Sequence, residues 1–238
     1  MTANDNYGLR ADYVSRTSNV TVPAVTTAEY WTPHRIKMAR YYQFQVYQRG
    51  QQLIRQHNLS SVLDIGCGPA LKLETLIAPV CGDIVGLDEP GVIGWCQKNL
   101  RFGQFMAYDI ERETFPLNRT FDLVIGADVI EHLVDPDKLL SDMWAAAHSG
   151  SWILLSTPDR DQLRGPGCLR SPKSEHVREW NMAELAAYVT SRGFAVRDHT
   201  LTPPLKFIWS RDYFTQRWAQ WRAGRAFDSC QLLVCQKA

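Results

Sequence analysis

The stretch "SVLDIGCGPA", Ser61 to Ala70, decides how the rest of the chain is read. Val62, Leu63 and Ile65 make a short apolar run suited to a buried strand, Asp64 interrupts it, and Gly66 and Gly68 follow one residue apart. A backbone without Cβ turns sharply and lets another group approach closely. If a helix begins next, its first amide groups favour electron-rich atoms at that turn. Pro69 suits an early helical position, since its nitrogen needs no hydrogen there, so "PALKLETLIA" is expected to be helical.

Outward from this point the same scheme repeats. Strand "DIVGLD" precedes a short helix from about Pro90 to Leu100, and "QFMAYD" and "FDLVIGAD" give two more strands. In "DPDKLLSDMWAAAHSG", Asp135 is the expected cap, Pro136 lies just inside the helix and Gly150 is the stop. "SWILLSTPD" is the fifth strand, and "NMAELAAYVTSRG" is a helix opened by an Asn181/Glu184 capping box. "FAVRDHTL" and "SCQLLVCQK" are the last two strands. Upstream, apolar positions between Ile36 and Gln56 recur at helical spacing. Strands alternating with helices imply an α/β fold with a mostly parallel sheet covered on both faces. The last strand, lacking an ordinary crossover helix before it, is expected to be inserted antiparallel.

With 238 residues, 45% of them hydrophobic, the chain supports one sizeable core. Residues 1–34 are expected to form an arm or lid, and residues 35–238 a single domain with substrate-side insertions at 160–178 and 203–227. The 26 Lys plus Arg against 25 Asp plus Glu leave a net charge of +1, which offers no general attraction for nucleic acid or an anionic membrane. The six cysteines show no zinc-ligand spacing and suit buried thiols in a reducing compartment. The polar start and the absence of a long apolar run point to a cytoplasmic chain without a membrane span.

Ligands of such sheets sit at the carboxyl ends of the strands, where this sequence places Asp64, Asp88, Asp109 and Asp128. A dinucleotide fingerprint would require a third glycine where Leu71 stands. The ordered set "VLDIGCGPA", "DIVGLDE", "FMAYDIE", "FDLVIGADVIEHL" and "SWILLSTPD" resembles the class I S-adenosylmethionine-dependent methyltransferases, in particular the small-molecule group that includes the ubiquinone-biosynthesis O-methyltransferases. The resemblance implies a Rossmann-like sheet of seven strands with the last antiparallel. Ala70 replaces a further glycine often found in the first motif, a departure expected to cost little.

The same resemblance implies a cofactor site for S-adenosylmethionine built from Asp64, Gly66, Cys67, Gly68, Asp88, Glu89, Asp109, Ile110, Asp128 and Val129. Asp64 would face the amino group, Asp88 the ribose hydroxyls, Asp109 and the Ile110 amide the adenine, and Asp128 with Val129 the sulfonium end. Leu87 and Ile110 are candidates to sandwich the adenine. His132 in "IEHL" and His176 in "SEHVREW" are the candidate catalytic bases, since imidazole titrates near neutral pH.

Asp128-x-x-Glu131-His132 with the later His176 is also similar to the metal site of small-RNA 3′-end 2′-O-methyltransferases. Its first position differs and the charge does not favour RNA, so no metal is expected. The arginines of 160–178 and the aromatic, arginine-rich stretch of 203–227 suggest a clamp and wall for a small acceptor, anionic or a sugar. The expected activity is O-methylation of a small metabolite, sugar or glycan unit. N-methylation and a nicotinamide-dependent oxidoreductase are the alternatives. Tyr7, Arg10, Tyr13 and Arg16 belong to an arm that either closes over the cofactor or stays free.

Overall fold

The computed structural model describes residues 6–17, 30–207, 209 and 211–237. Of the arm expected over 1–34, residues 1–5 and 18–29 therefore lie outside the described residues. Seven strands form one sheet: β1 (Ser61–Ile65), β2 (Asp83–Asp88), β3 (Gln104–Ala107), β4 (Phe121–Ala127), β5 (Ala147–Pro158), β6 (Ala195–Thr202) and β7 (Cys230–Gln236). Their spatial order is β3-β2-β1-β4-β5-β7-β6. Strands β1 to β5 pair in parallel, and β7 lies antiparallel between β5 and β6.

Successive side chains of a strand point to opposite faces, so each strand feeds two cores. Val62, Ile84, Leu123, Leu154 and Val234 meet α2 (Phe44–His57) and α3 (Pro90–Asn99) on one face. Leu63, Val85, Val124, Ile153 and Leu233 meet α4 (Pro136–Ala145) and α6 (Met182–Ser191) on the other. Full burial of each such side chain is worth about 1.5–3 kcal/mol, so the doubly covered β1–β4–β5 centre contributes strongly to stability. No helix among the described residues is long and apolar enough to cross a membrane.

Four local expectations need revision. The helical pattern of 36–56 is interrupted: α1 (Pro33–Met38) ends, Gln43 takes φ +54°, and α2 starts at Phe44. The break lets Gln43 reach Asp128, and its amide donates to the Pro204 carbonyl. After the glycine turn the helix is short and runs as a π-turn over Leu73–Ile77, while Pro69 lies ahead of it. Ala70 occupies the left-handed region at φ +52°, which costs a non-glycine residue about 1–2 kcal/mol; its replacement of glycine is therefore not free. Gly150 lies inside the long β5 rather than ending α4, whose C-cap is Ala146.

Described residues of the expected arm pack against the sheet domain. Leu9 and Tyr13 are buried in the α4/α6 core, and the Tyr13 hydroxyl accepts from the amides of Ser171 and Glu179 at 3.2 and 2.9 Å. Tyr7 packs edge-on against Tyr188, Arg10 donates its amide to Glu184 and Arg16 reaches the Ser171 carbonyl. These residues clamp the 160–180 connection. The group that lies against the glycine turn is Trp31, whose ring would sit 3.0 Å from a Cβ on Gly68.

Candidate active site at the strand ends

Gly66 and Gly68 adopt φ +81° and +55° at the end of β1. A side chain on Gly66 would overlap Val129 at the end of β4. This close approach joins two neighbouring strand ends, as the sequence pattern requires. The amides of Gly66 and Cys67 both donate to the Leu87 carbonyl, which ties the turn to β2. Cys67 is buried, and contact with Cys96 together with burial pushes its thiol up.

Asp64, Asp88, Asp109 and Asp128 come together in the expected order along the sheet edge. Asp88 ends β2 and accepts from the amides of Gly68 and Glu89, both at 2.7 Å, one through each carboxylate oxygen. A carboxylate offers about four acceptor sites. Each Asp88 oxygen thus keeps one for a pair of hydroxyls such as those of a ribose. Glu89 is the N-cap of α3, half-buried, and burial followed by repulsion from Asp88 and Asp109 raises its carboxyl.

Asp64 is fully buried. Its Oδ2 accepts from the Tyr47 hydroxyl at 2.8 Å, whereas Oδ1 has no hydrogen-bond partner among the described residues. Burial pushes its carboxyl up to about 7, against the opposing pull of Tyr47 and Lys72. A buried, half-satisfied carboxylate gains most from a cationic donor. The ammonium of an S-adenosylmethionine methionine group is such a donor. On these two observations, the open Oδ1 and the side-chain-free turn at Gly66, the residues present fit that cofactor.

Asp109 caps its own turn, accepting from the amides of Glu111 and Arg112 at 3.0 and 3.2 Å, and remains partly exposed. Ile110 is half-buried against the core. Leu87 is wholly inside the core, whereas Ile110 is partly exposed.

At β4 the chain turns through Asp128, at φ +56°, into a 3-10 turn over Ile130–His132. The Asp128 carboxylate accepts from Gln43, from Ser156 at 3.4 Å and from the Cys230 thiol at 3.7 Å. Burial and the neighbouring Glu131 push it up to about 7. Glu131 is 1% exposed and accepts from the Thr157 hydroxyl at 2.9 Å through Oε2. The two histidine rings meet edge to face with centroids 4.9 Å apart. Nδ1 of His132 lies 2.8 Å from the Glu175 carbonyl, and Nδ1 of His176 lies 2.6 Å from the Glu179 carboxylate. Burial and then the adjacent His176 push His132 down to about 4. Glu179 is held down to about 2 because bonds from His176 and Arg164 overcome its burial.

The expected guanidinium clamp is mostly spent inside the protein. Arg160, at the start of α5 (Arg160–Arg164), is buried and pairs with Glu184 and Asp161, Arg164 pairs with Glu179, and Arg178 donates to the carbonyls of Leu133 and Val134. Buried cations require such partners, and only Arg170 and Lys173 of this set are exposed. The aromatics of the 203–227 stretch divide between surface and interior. On α7 (Arg211–Arg222) the stripe Phe214, Trp218 and Trp221 faces outward, Trp221 being 71% exposed, while Tyr213 is buried against Phe207. The adjoining cavity, lined by Pro203, Leu205, Tyr213 and Arg217, is about 30 Å³. That is room for a water.

Sequence reasoning missed Trp31, Gln43, Tyr47, Thr157 and Glu179. None carries a local signature, since each acts across the fold. Glu131 stands beside His132 in the sequence, but nothing local marks it as buried.

A fold of this order with this strand-end site defines the class I methyltransferase architecture. The chain belongs to a family described as a methyltransferase domain, matched over residues 35–199. It is 28% identical over 184 residues to a Mycolicibacterium smegmatis protein named as a probable S-adenosylmethionine-dependent methyltransferase, covering 76% of this chain and 66% of that one. It is 27% identical over 120 residues to the mitochondrial ubiquinone biosynthesis O-methyltransferase of Candida albicans, covering 48% of this chain and 36% of that protein. The chain thus spans less than two thirds of the length of these relatives. In fold it is similar to the N-methyltransferase NodS of Bradyrhizobium japonicum solved with S-adenosyl-L-homocysteine, at TM-score 0.55 and 17% identity over 82% of this chain and 88% of that one.

Proposed function

We propose that this chain is an S-adenosylmethionine-dependent methyltransferase acting on an oxygen of a small metabolite, sugar or glycan unit. The observation that carries the cofactor reading is the buried Asp64 carboxylate, whose Oδ1 has no hydrogen-bond partner among the described residues and which precedes the left-handed turn at Gly66 and Gly68. Family membership supports the same reading. The net charge of +1 favours a small acceptor over nucleic acid.

S-adenosylmethionine, when bound, supplies a methyl group on a positively charged sulfur that is displaced in line. The protein's part is alignment and charge placement, which can account for several kcal/mol of a barrier. Asp64 and Asp88 would fix the two ends of the cofactor, with Asp109 and Ile110 at the adenine. Asp128 and Val129 would hold the reacting end. Gln43, Ser156 and Cys230 fix the Asp128 carboxylate, so it cannot swing away. A hydroxyl acceptor must lose a proton, and the Glu131, His132 and His176 groups stand three to four residues from Asp128 or beside it in space. His132, 27% exposed, is the least buried member of that group.

The test is a screen of hydroxylated and amine acceptors with S-adenosylmethionine, reading S-adenosylhomocysteine and locating the added methyl group by mass spectrometry. Methylation on oxygen is expected. Transfer to nitrogen alone would overturn the acceptor reading, and tight NADH binding without S-adenosylhomocysteine binding would overturn the cofactor reading.

A further inference from the structure

Phe207, Trp209, Phe214, Trp218 and Trp221 are all exposed, Trp209 most of all at 86%. The rings of Phe207, Trp209 and Phe214 meet edge to face, with centroids 5.3 to 6.2 Å apart. Phe214, Trp218 and Trp221 stand at i, i+4 and i+7 of α7 and therefore share one helix face. The segment itself is anchored. Leu205 bridges to Tyr42, the Lys206 amide donates to the Tyr41 carbonyl at 2.9 Å, and Tyr213 is buried. A contiguous apolar patch held outward in this way marks an interaction surface.

Charge decides what the surface fits. Residues 203–227 carry Lys206, Arg211, Arg217, Arg222 and Arg225 against Asp212 alone, in a chain whose net charge is +1. The positive charge that the chain lacks as a whole is gathered here. At about 100° per residue, Arg211 and Arg222 border the aromatic stripe on one side and Arg217 on the other. The Arg222 guanidinium lies 4.8 Å from the centre of the Trp218 ring. A second copy docking through the same face would set arginine against arginine. Single-stranded nucleic acid takes aromatic platforms along a charged groove, whereas these rings stand on the outward side of a helix. Aromatic side chains with cationic borders match the interface of an anionic bilayer. Trp and Phe enter the boundary between headgroups and acyl chains, and the long arginines reach back to the lipid phosphates.

We propose that α7 and the adjoining Trp209 form a docking surface for a membrane that carries anionic lipids, on which the protein lies without spanning it. Binding needs both parts of the surface: the tryptophans supply apolar insertion, and the arginines supply attraction to the charged headgroups. This revises the expectation drawn from net charge, which averages over the whole chain. The proposal is independent of the methyl-transfer reading, because neither cofactor nor acceptor takes part in it.

The full chain is sedimented with vesicles of phosphatidylcholine containing about 30% phosphatidylglycerol, and with phosphatidylcholine alone. Binding to the anionic vesicles is expected, with affinity at least about tenfold lower on the neutral ones and in about 0.5 M salt. The double variants Trp218→Ser/Trp221→Ser and Arg211→Gln/Arg222→Gln should each weaken it at least about tenfold, with Tm within about 2 °C of the parent. Where the tryptophan double variant has a lower Tm, Trp221→Ser alone repeats the comparison. Failure to sediment with the anionic vesicles, equal binding to both kinds of vesicle, or parent-like binding by the tryptophan variants would overturn the proposal. So would tighter binding to a single-stranded RNA oligonucleotide, or a dimer that the tryptophan variants dissolve, since either would give the face to another partner.

Discussion

At the ends of β1 and β2 the site is made largely of backbone: a left-handed turn at Gly66 and Gly68, tied by its amides to Leu87 and Asp88 on the paired strand. At the ends of β4 and β5 it is made of side chains brought from afar. Gln43, Thr157, His176 and Glu179 converge on the short turn after Asp128, and Tyr13 pins the connection that supplies the last two. The first half depends on φ angles and strand register, which residue type dictates. The second depends on how separate segments pack, which it does not.

The largest effect that could break this contrast is at the turn itself. Gly66→Ala places a side chain at φ +81° and into Val129, and should destabilise the chain by roughly 2–4 kcal/mol through strain and overlap. Thermal unfolding reads this directly; an unchanged Tm would mean the turn is less constrained than drawn.

Asp88→Ala should weaken S-adenosylhomocysteine binding by about ten- to hundredfold in a calorimetric titration. Equal affinity in variant and parent would remove Asp88 from the site. Part of any loss of stability belongs to the Gly68 and Glu89 amides that Asp88 serves.

Asp64 sharpens the comparison through pH. Its carboxyl is raised to about 7 when folded, against about 3.9 in an unfolded chain, so the folded state binds the proton more tightly. Stability from this group is complete below pH 4 and is lost as pH rises through 7, by at most about 4 kcal/mol. Binding of a cationic cofactor should run the opposite way and tighten as pH rises through 7. Since Asp128 also titrates near 7, the quantity to measure is the difference from Asp64→Asn. Parallel pH curves for the two proteins would show that Asp64 is not the group responsible.

On the other half, Tyr13→Phe removes an acceptor from two buried amides and should cost about 1–3 kcal/mol of stability. Cofactor affinity should change less than twofold. A large loss of cofactor affinity would show that the two halves are coupled. The smallest effect is expected for Trp221→Ser on the outward face of α7, within about 0.5 kcal/mol.

Much of the first half is legible in the sequence. Alternating apolar runs, capping residues and strand-end acids are local signals, so the seven strands, the antiparallel insertion of β7 and the Asn181/Glu184 capping box are all readable from it. The interruption of the first helix at Gln43 is not, because the helical pattern continues through it. The left-handed break is stabilised by a partner, Asp128, that lies 85 residues away. The arginines of the 160–178 connection mislead for the same reason. A sequence shows that Arg160 and Arg164 are cationic, but not that Glu184 and Glu179 lie within reach to neutralise them.

By itself, then, the sequence determined the sheet, its order of motifs and the acids at its edge, because backbone conformation and hydrophobic period are properties of neighbouring residues. Only the tertiary structure decided that Oδ1 of Asp64 has no partner among the described residues, that Leu9 and Tyr13 pack into the α4/α6 core, and that Glu131, His132 and His176 converge. Those outcomes depend on distances between segments far apart in the chain, which packing sets and local propensity does not encode.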